Sequence, residues 1–209
     1  MKRIISFIMV TLLTVVSALA NIAEGVSGDC NWVIDNDGNL TISSESDDIA
    51  DLGTWVGDSA PWSNYRDSIT TVVFSSPVNA KTCAYMFKGC SNLNAVYLDN
   101  FYTNEVTDMS FMFAGCTSLE VIEFDMAMSA QDEMFSQSRD NFLTGNVTNM
   151  AGMFEGCKSL QSFFLQNLDI HSVTNFSDMF AGCSSHDNMN ITVHKNAHGS
   201  SLTAINDIE

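Results

Sequence analysis

The chain has 209 residues, with 8 Lys and Arg against 25 Asp and Glu for a formal charge of −17, and 45% of it is hydrophobic. That balance argues against a nucleic-acid partner, since phosphate binding demands clustered Lys and Arg. It favours solubility, and leaves a basic partner or a loosely held surface cation as binding chemistries.

Residues 1–20 read as a secretory signal peptide. Lys2 and Arg3 precede an apolar run from Ile4 to Leu19, and Ala18-Leu19-Ala20 forms a small-residue cleavage site. The run is short for a bilayer span of ~20 residues, so no transmembrane segment is expected after cleavage. The mature chain would keep 6 Lys and Arg against 25 acids, a formal −19. The predicted location is secreted or cell-surface.

Residues 21–68 read as an N-terminal cap. Within it, Trp32 to Ile42 alternates on both sides of Asp37-Gly38, which predicts a β-hairpin turning at that pair. A calcium loop does not fit. Aligning Gly38 with the invariant glycine puts Val33 and Ser44 at ligand positions. The hairpin, with Trp32, Trp55 and Trp62, is expected to cover the first edge of the downstream repeats. Ser43 to Gly57 is acidic and poor in pattern, so a loop or short helix is expected there.

From Ile69 to His194 one unit recurs. Val106 to Leu119 reads Val-Thr-Asp-Met-Ser-Phe-Met-Phe-Ala-Gly-Cys-Thr-Ser-Leu, Val147 to Leu160 matches it closely, and Val173 to Cys183 matches as far as the cysteine. A worn copy runs from Thr82 to Leu93. Such units bury their apolar faces only against their neighbours. Thr82, Asp108, Asn149 and Asn175 read as helix N-caps, and Gly89, Gly115, Gly156 and Gly182 as left-handed C-terminal caps. Met109, Met112 and Phe113 between them fall at i, i+3 and i+4, which predicts a short helix with one buried face. After each cysteine the period changes to alternation. Ile69/Val72/Phe74, Leu93/Val96/Leu98, Leu119/Ile122/Phe124 and Leu160/Phe163/Leu165 are the predicted inward columns of four adjacent strands.

The alternation sends Val73, Tyr97, Glu123 and Phe164 to the opposite face. Tyr97, Glu123 and Phe164 form one outward column, and Asp99 and Asp125 begin the next. Aromatic rings among carboxylates are candidate contacts for protein or glycan. The same side chains equally serve to solvate the sheet.

The repeat cysteines, 90, 116, 157 and 183, are spaced by 26, 41 and 26. The excess of the middle interval falls near residues 127–141, a predicted loop insertion that Met134 and Phe135 tuck down. The last copy decays, with Ile191-Thr192-Val193 as its strand, and residues 195–209 form a polar tail. Four cysteines at one repeat position predict a ladder of buried thiols. Cys30 and Cys83 lie outside that column and are the disulfide candidates. His194 and His198, with His186 nearby, lack the shared helical face a metal pair would need. No glycine-elbowed serine is found, and the methionine and phenylalanine stripes read as core. Hence no catalytic, metal-binding or cofactor-binding residue is expected, and no cofactor.

The unit resembles that of the BspA-like leucine-rich-repeat surface proteins, which carry a Val-Thr-Asp/Asn-Met-x-x-Met-Phe-x-Gly-Cys-x-x-Leu signature. The resemblance spans Ile69 to Cys183. Family members often open with a similar hairpin and a Pro-Trp segment, matched by Pro61-Trp62-Ser63-Asn64-Tyr65. It implies a secreted or surface-exposed binding protein, often an adhesin, in host-associated bacteria and some protists. The expected fold class is α/β, a leucine-rich-repeat-like solenoid with a short strand plus short helix per repeat and an N-terminal β-hairpin cap. Three functions stay open: an adhesin binding an extracellular protein, a carbohydrate-binding accessory module, and, against the sequence signals, an enzyme.

Overall fold

The computed structural model describes residues 20–46, 48–123, 142–160 and 168–183. Nine strands occur there: β1 (Ala23–Ser27), β2 (Cys30–Ile34), β3 (Asn39–Ser43), β4 (Ala50–Asp51), β5 (Thr71–Phe74), β6 (Val78–Asn79), β7 (Ala95–Tyr97), β8 (Phe101–Tyr102) and β9 (Val121–Glu123). The predicted hairpin is β2–β3, paired antiparallel with Trp32 opposite Ile42. Asp35 sets its turn. The Oδ1 of Asp35 accepts the N–H groups of Asp37 and Asn39 at 2.9 Å, and its Oδ2 accepts the Asn39 amide at 2.8 Å. Gly38 is obligatory there: its φ is 84°, and a Cβ would lie 2.3 Å from the Ser68 carbonyl oxygen. Ahead of the hairpin stands β1, which sequence reasoning missed.

The first sheet has the order β1-β2-β3-β5-β7-β9, and the second β4-β6-β8. Pairing is antiparallel through β3 and parallel from β3 onward. The hairpin therefore extends the sheet of the repeats as well as covering its end. Ile69, Val72, Phe74, Leu93, Val96, Leu98 and Leu119 are buried as the alternation predicted, and Ile122 packs against the same core.

The expected helices are absent from the described repeats; among the described residues the one helix is the 3₁₀ segment Ser63–Ser68 upstream. Each predicted helix is instead a pair of tight turns. Tyr85, Phe111, Gly152 and Asp178, at one repeat position, have φ of 55–60°, a left-handed conformation that ends a right-handed helix. Backbone N–H groups then alternate in destination. Those of Met112, Ala114 and Cys116 donate three residues back, to Met109, Phe111 and Phe113. Those of Phe111, Phe113 and Gly115 donate to Ala151, Met153 and Glu155 of the next unit at 2.7–2.9 Å. An i, i+3, i+4 stripe fits this ladder as well as a helix, because it needs only one inward side. The side-chain caps form as predicted, with Asp108, Asn149 and Asn175 accepting the N–H groups of Ser110, Ala151 and Ser177.

Stacked units line up their side chains. Trp62, Phe87, Phe113, Phe154 and Phe180 make one column with successive ring centroids 5.4–5.8 Å apart. The carbonyls of the first unit have no preceding unit to bond to. The indole N–H groups of Trp55 and Trp62 take that place, donating to Ala84 O and Met86 O at 2.8 Å each. Trp55 and Trp62 thus sit at the head of the stack, with indole hydrogen bonds replacing a missing backbone.

All six cysteines are buried free thiols, so the Cys30–Cys83 bridge is not formed. Cys83 occupies the column of Met109 and Met150, and Cys30 Sγ lies 3.7 Å from Asp51 O. The repeat thiols form the predicted ladder. Cys116, Cys157 and Cys183 donate to the Phe87, Phe113 and Phe154 carbonyls at 3.1–3.2 Å.

Several expectations fall outside the described residues: the signal peptide up to Leu19, the insertion at 127–141, Phe124, Phe163, Leu165, the strand at 191–193, the histidines 186, 194 and 198, and the tail at 195–209. Among the described residues, no helix is long and apolar enough to cross a membrane.

Candidate binding face

Of the five residues singled out for the outward face, Tyr97, Asp99 and Glu123 are described; Asp125 and Phe164 lie outside the described residues. Tyr97 and Glu123 are register partners, and Val73 is the partner of Tyr97 on its other side. The row continues into the hairpin. Val73 faces Thr41, Thr41 faces Val33, and Val33 faces Glu24. One line of outward side chains, Glu24-Val33-Thr41-Val73-Tyr97-Glu123, therefore crosses all six strands. Its two carboxylates are exposed and its four central side chains half-buried. Beside it runs Asn39-Thr71-Ala95-Val121, small and uncharged. Asp99 is exposed in the turn just past β7, two residues beyond Tyr97.

The half of this row that lies in β1–β3 escaped sequence reasoning. Two signals pointed there: the alternation of Trp32 to Ile42, and the absence of Lys and Arg from Asn21 to Tyr65. The four described cations lie elsewhere. Arg66 pairs with Asp58 and Lys81 with Asp51. Lys88 lies 3.6 Å from Asp58 and over the stacked rings of Tyr85 and Phe111, while Lys158 stands in the turn after Cys157. The Lys81 side chain holds the Asp51 carboxyl below its ordinary range, and hydrogen bonds from Asn39 do the same for Asp35. A polar depression of about 390 Å³ opens near one end of the face, lined by Asp29, Asn31, Ser44, Glu45, Ser46, Ile49 and Ala50.

The thiols offer no nucleophile at neutral pH. Burial raises all six, Cys30 and Cys183 to about 11 and Cys90 to about 12, and only the thiolate attacks. One constellation that sequence reasoning missed has the connectivity of a relay. Asp169 Oδ1 is 2.7 Å from His171 Nδ1, and His171 Nε2 is 3.0 Å from Ser172 Oγ. The Asp169 and His171 side chains are each 50% exposed. The adjacent N–H groups of Val173 and Thr174 are already given to Ile170 and Thr148, so they cannot stabilise an oxyanion. Among the described residues, no group of three or more His, Cys, Asp or Glu could hold a metal ion.

The geometry is thus that of repeated units carrying a sheet face, and the repeat region is also what comparison with known proteins picks out. Residues 75–193 match the family described as "Mycoplasma protein of unknown function, DUF285". The chain belongs to this family. A solved structure of a leucine-rich repeat protein from Eubacterium ventriosum is similar to this DUF285 chain at 19% identity and a TM-score of 0.38, over 78% of the chain and 36% of that structure. The DUF285 chain thus spans about a third of the length of that protein. No curated protein matches it.

Proposed function

We propose that this chain is an exported binding protein of the BspA-like type, a leucine-rich-repeat-like solenoid acting as an adhesin or host-interaction scaffold without catalysis. The observation that carries this reading is the outward row across the six described strands of the first sheet, Tyr97 and Glu123 among them, held over a core that the repeats share. A sheet fixed by stacked units presents side chains at little ordering cost, which favours binding by a preformed surface. The exported location is supported by the leader-like residues 1–20. The partner is an extracellular protein. A glycan is the second reading, favoured by the half-buried Tyr97 ring beside Glu123, its register partner.

The test immobilises the chain without its leader and challenges it with purified extracellular matrix proteins, host cell surfaces and a glycan array. Retention of a defined protein that is lost with Tyr97→Ala and kept with Val56→Ser supports the reading. Val56 is 90% exposed and off the face. Retention of nothing, or retention indifferent to Tyr97→Ala, overturns it.

A further inference from the structure

We infer that the outer edge of β1 is a docking site for an extended strand of a partner polypeptide, one that carries Lys or Arg opposite Glu24 and an apolar side chain opposite Val26. The inference rests on the reading of an exported protein binder whose leader is removed, and it goes beyond the Tyr97 face. Strand β1 ends the first sheet, and among the described residues no strand pairs with its outer edge. Such an edge offers alternate backbone N–H and C=O groups as a template for another chain, and proteins that avoid such pairing protect the edge with Lys, Pro or a bulge. Asn21 to Gly28 contains neither Lys nor Pro, and the pairing of Ala23 to Ser27 with β2 runs without a bulge.

The edge is also fixed in place. Ahead of the strand the Ile22 N–H donates to Ile34 O at 2.8 Å; at its far end Ser27 Oγ donates to Leu52 O at 2.6 Å and the Asp29 N–H to Asp51 O at 2.7 Å. A strand held at both ends is preformed, so an added strand bears mainly its own ordering cost. Along β1, Ala23 and Ser27 are buried while Glu24 and Val26 are exposed, Val26 at 68%. Exposed Ile22 precedes them, which concentrates apolar surface at this edge. Charge decides the partner. Asn21 to Tyr65 holds nine acids and no Lys or Arg. Glu24 faces Val33 on its β2 side and accepts a hydrogen bond from the uncharged Asn21 amide at 2.9 Å. Opposite charges directly across a strand pair attract and like charges repel. A second copy of this acidic chain brings no cation to the edge, so a cationic strand is favoured over self-pairing.

The probe is a capped synthetic heptapeptide, Thr-Val-Thr-Lys-Thr-Val-Thr, titrated into the isotope-labelled leaderless chain and followed by amide shifts. Its valines flank the lysine symmetrically, so it presents one pattern in either strand direction. Shifts centred on Ile22 to Ser27, with affinity weakened roughly two- to five-fold by Glu24→Gln, support the inference. With Glu24→Lys the preference should reverse toward a peptide that has glutamate in place of the lysine. Two further peptides carry N-methyl groups on one or the other alternate set of amides, and main-chain pairing predicts that one set abolishes binding while the other leaves it. Equal binding of the lysine and glutamate peptides, equal behaviour of the two methylated sets, shifts at Tyr97 and Glu123 in place of β1, or no binding overturns the inference. Concentration-dependent pairing of the chain alone through β1 also overturns it, and makes a second copy the occupant. Glu24 is exposed, so both variants keep the fold, and their thermal melts verify this. If a matrix protein is captured through Tyr97 while the peptide leaves β1 unmoved, the edge site fails and the binding scaffold stands. If the peptide binds β1 and no protein is captured through Tyr97, the edge site stands and the Tyr97 face fails.

Discussion

Trp62→Phe isolates what the indole N–H does at the head of the stack. Trp62 is fully buried, its ring leads the phenylalanine column at 5.8 Å from Phe87, and its Nε1 donates to Met86 O at 2.8 Å. Phenylalanine keeps a ring in the column but removes the donor, leaving a carbonyl in a site with no route for water. A buried unsatisfied group costs about 1–3 kcal/mol, and the smaller ring leaves a gap worth about 1 kcal/mol more. The expected loss is about 2–4 kcal/mol. For a domain near this size that lowers Tm by roughly 4–16 °C. Trp55→Phe is the internal comparison. Trp55 makes the equivalent bond to Ala84 O but is only partly buried, so water can replace it and the loss is about 0.5–1.5 kcal/mol. Both are read from urea and thermal denaturation followed by circular dichroism in reducing buffer. Equal losses in the two variants, or a loss under about 0.5 kcal/mol at Trp62, would refute the idea that indoles substitute for a missing unit.

Gly152→Ala places a methyl 2.4 Å from the Phe111 ring at a φ of 60°, and a loss of about 2–4 kcal/mol is expected in a urea melt. Gly57→Ala, at a φ of 57° with open space around it, is expected to cost only about 1 kcal/mol. Native protein should leave all six thiols unreacted with a thiol reagent at pH 8, and urea should release all six; rapid native reaction would contradict their burial. The thiols also set an alkaline limit. Burial raises their folded pKa, so the stability is fully present below the unfolded value near 9 and is lost as pH climbs toward 11–12 in reducing buffer. Cys90→Ala should flatten that limb. At the acid end the sign reverses: Asp35 is held below its ordinary range, so its stabilisation is present above the unfolded carboxylate value and lost as pH falls through the lowered one. Asp35→Asn should flatten the acid limb of a pH–stability curve.

The repeat and its buried columns were legible in the sequence, because identical units force identical environments. Cysteines recurring at one position announced the thiol ladder, and the alternation of Val72-Val73 and Val96-Tyr97 announced the outward row. The helix expectation failed for a physical reason. Met109, Met112 and Phe113 mark one buried side, and that pattern does not report where the N–H groups go. The residue that breaks the helix is Tyr85, Phe111 or Asp178 in three of the four copies, and only Gly152 advertises a left-handed conformation. Strand β1 was hidden because Ala23-Glu24-Gly25-Val26-Ser27 is short, with a glycine at its centre. That glycine has a packing reason: a Cβ at Gly25 would lie 2.7 Å from the Trp32 indole. The two-residue strands β4, β6 and β8 are too short for any period to show. Of the outward row only Glu24 came from a hidden strand; Val33 and Thr41 lie on the predicted hairpin, and what the sequence did not announce is the parallel pairing of β3 with β5 that joins them to Val73, Tyr97 and Glu123.

The stacking of units through alternating hydrogen bonds is tested most directly by through-hydrogen-bond coupling in an isotope-labelled sample. The coupling to follow starts at the Phe113 amide. Stacked units predict that it connects to the Met153 carbonyl carbon, 2.9 Å from nitrogen to oxygen. A coupling from Phe113 to the Met109 carbonyl would mean a helix in its place, and would contradict the stack and the face it holds.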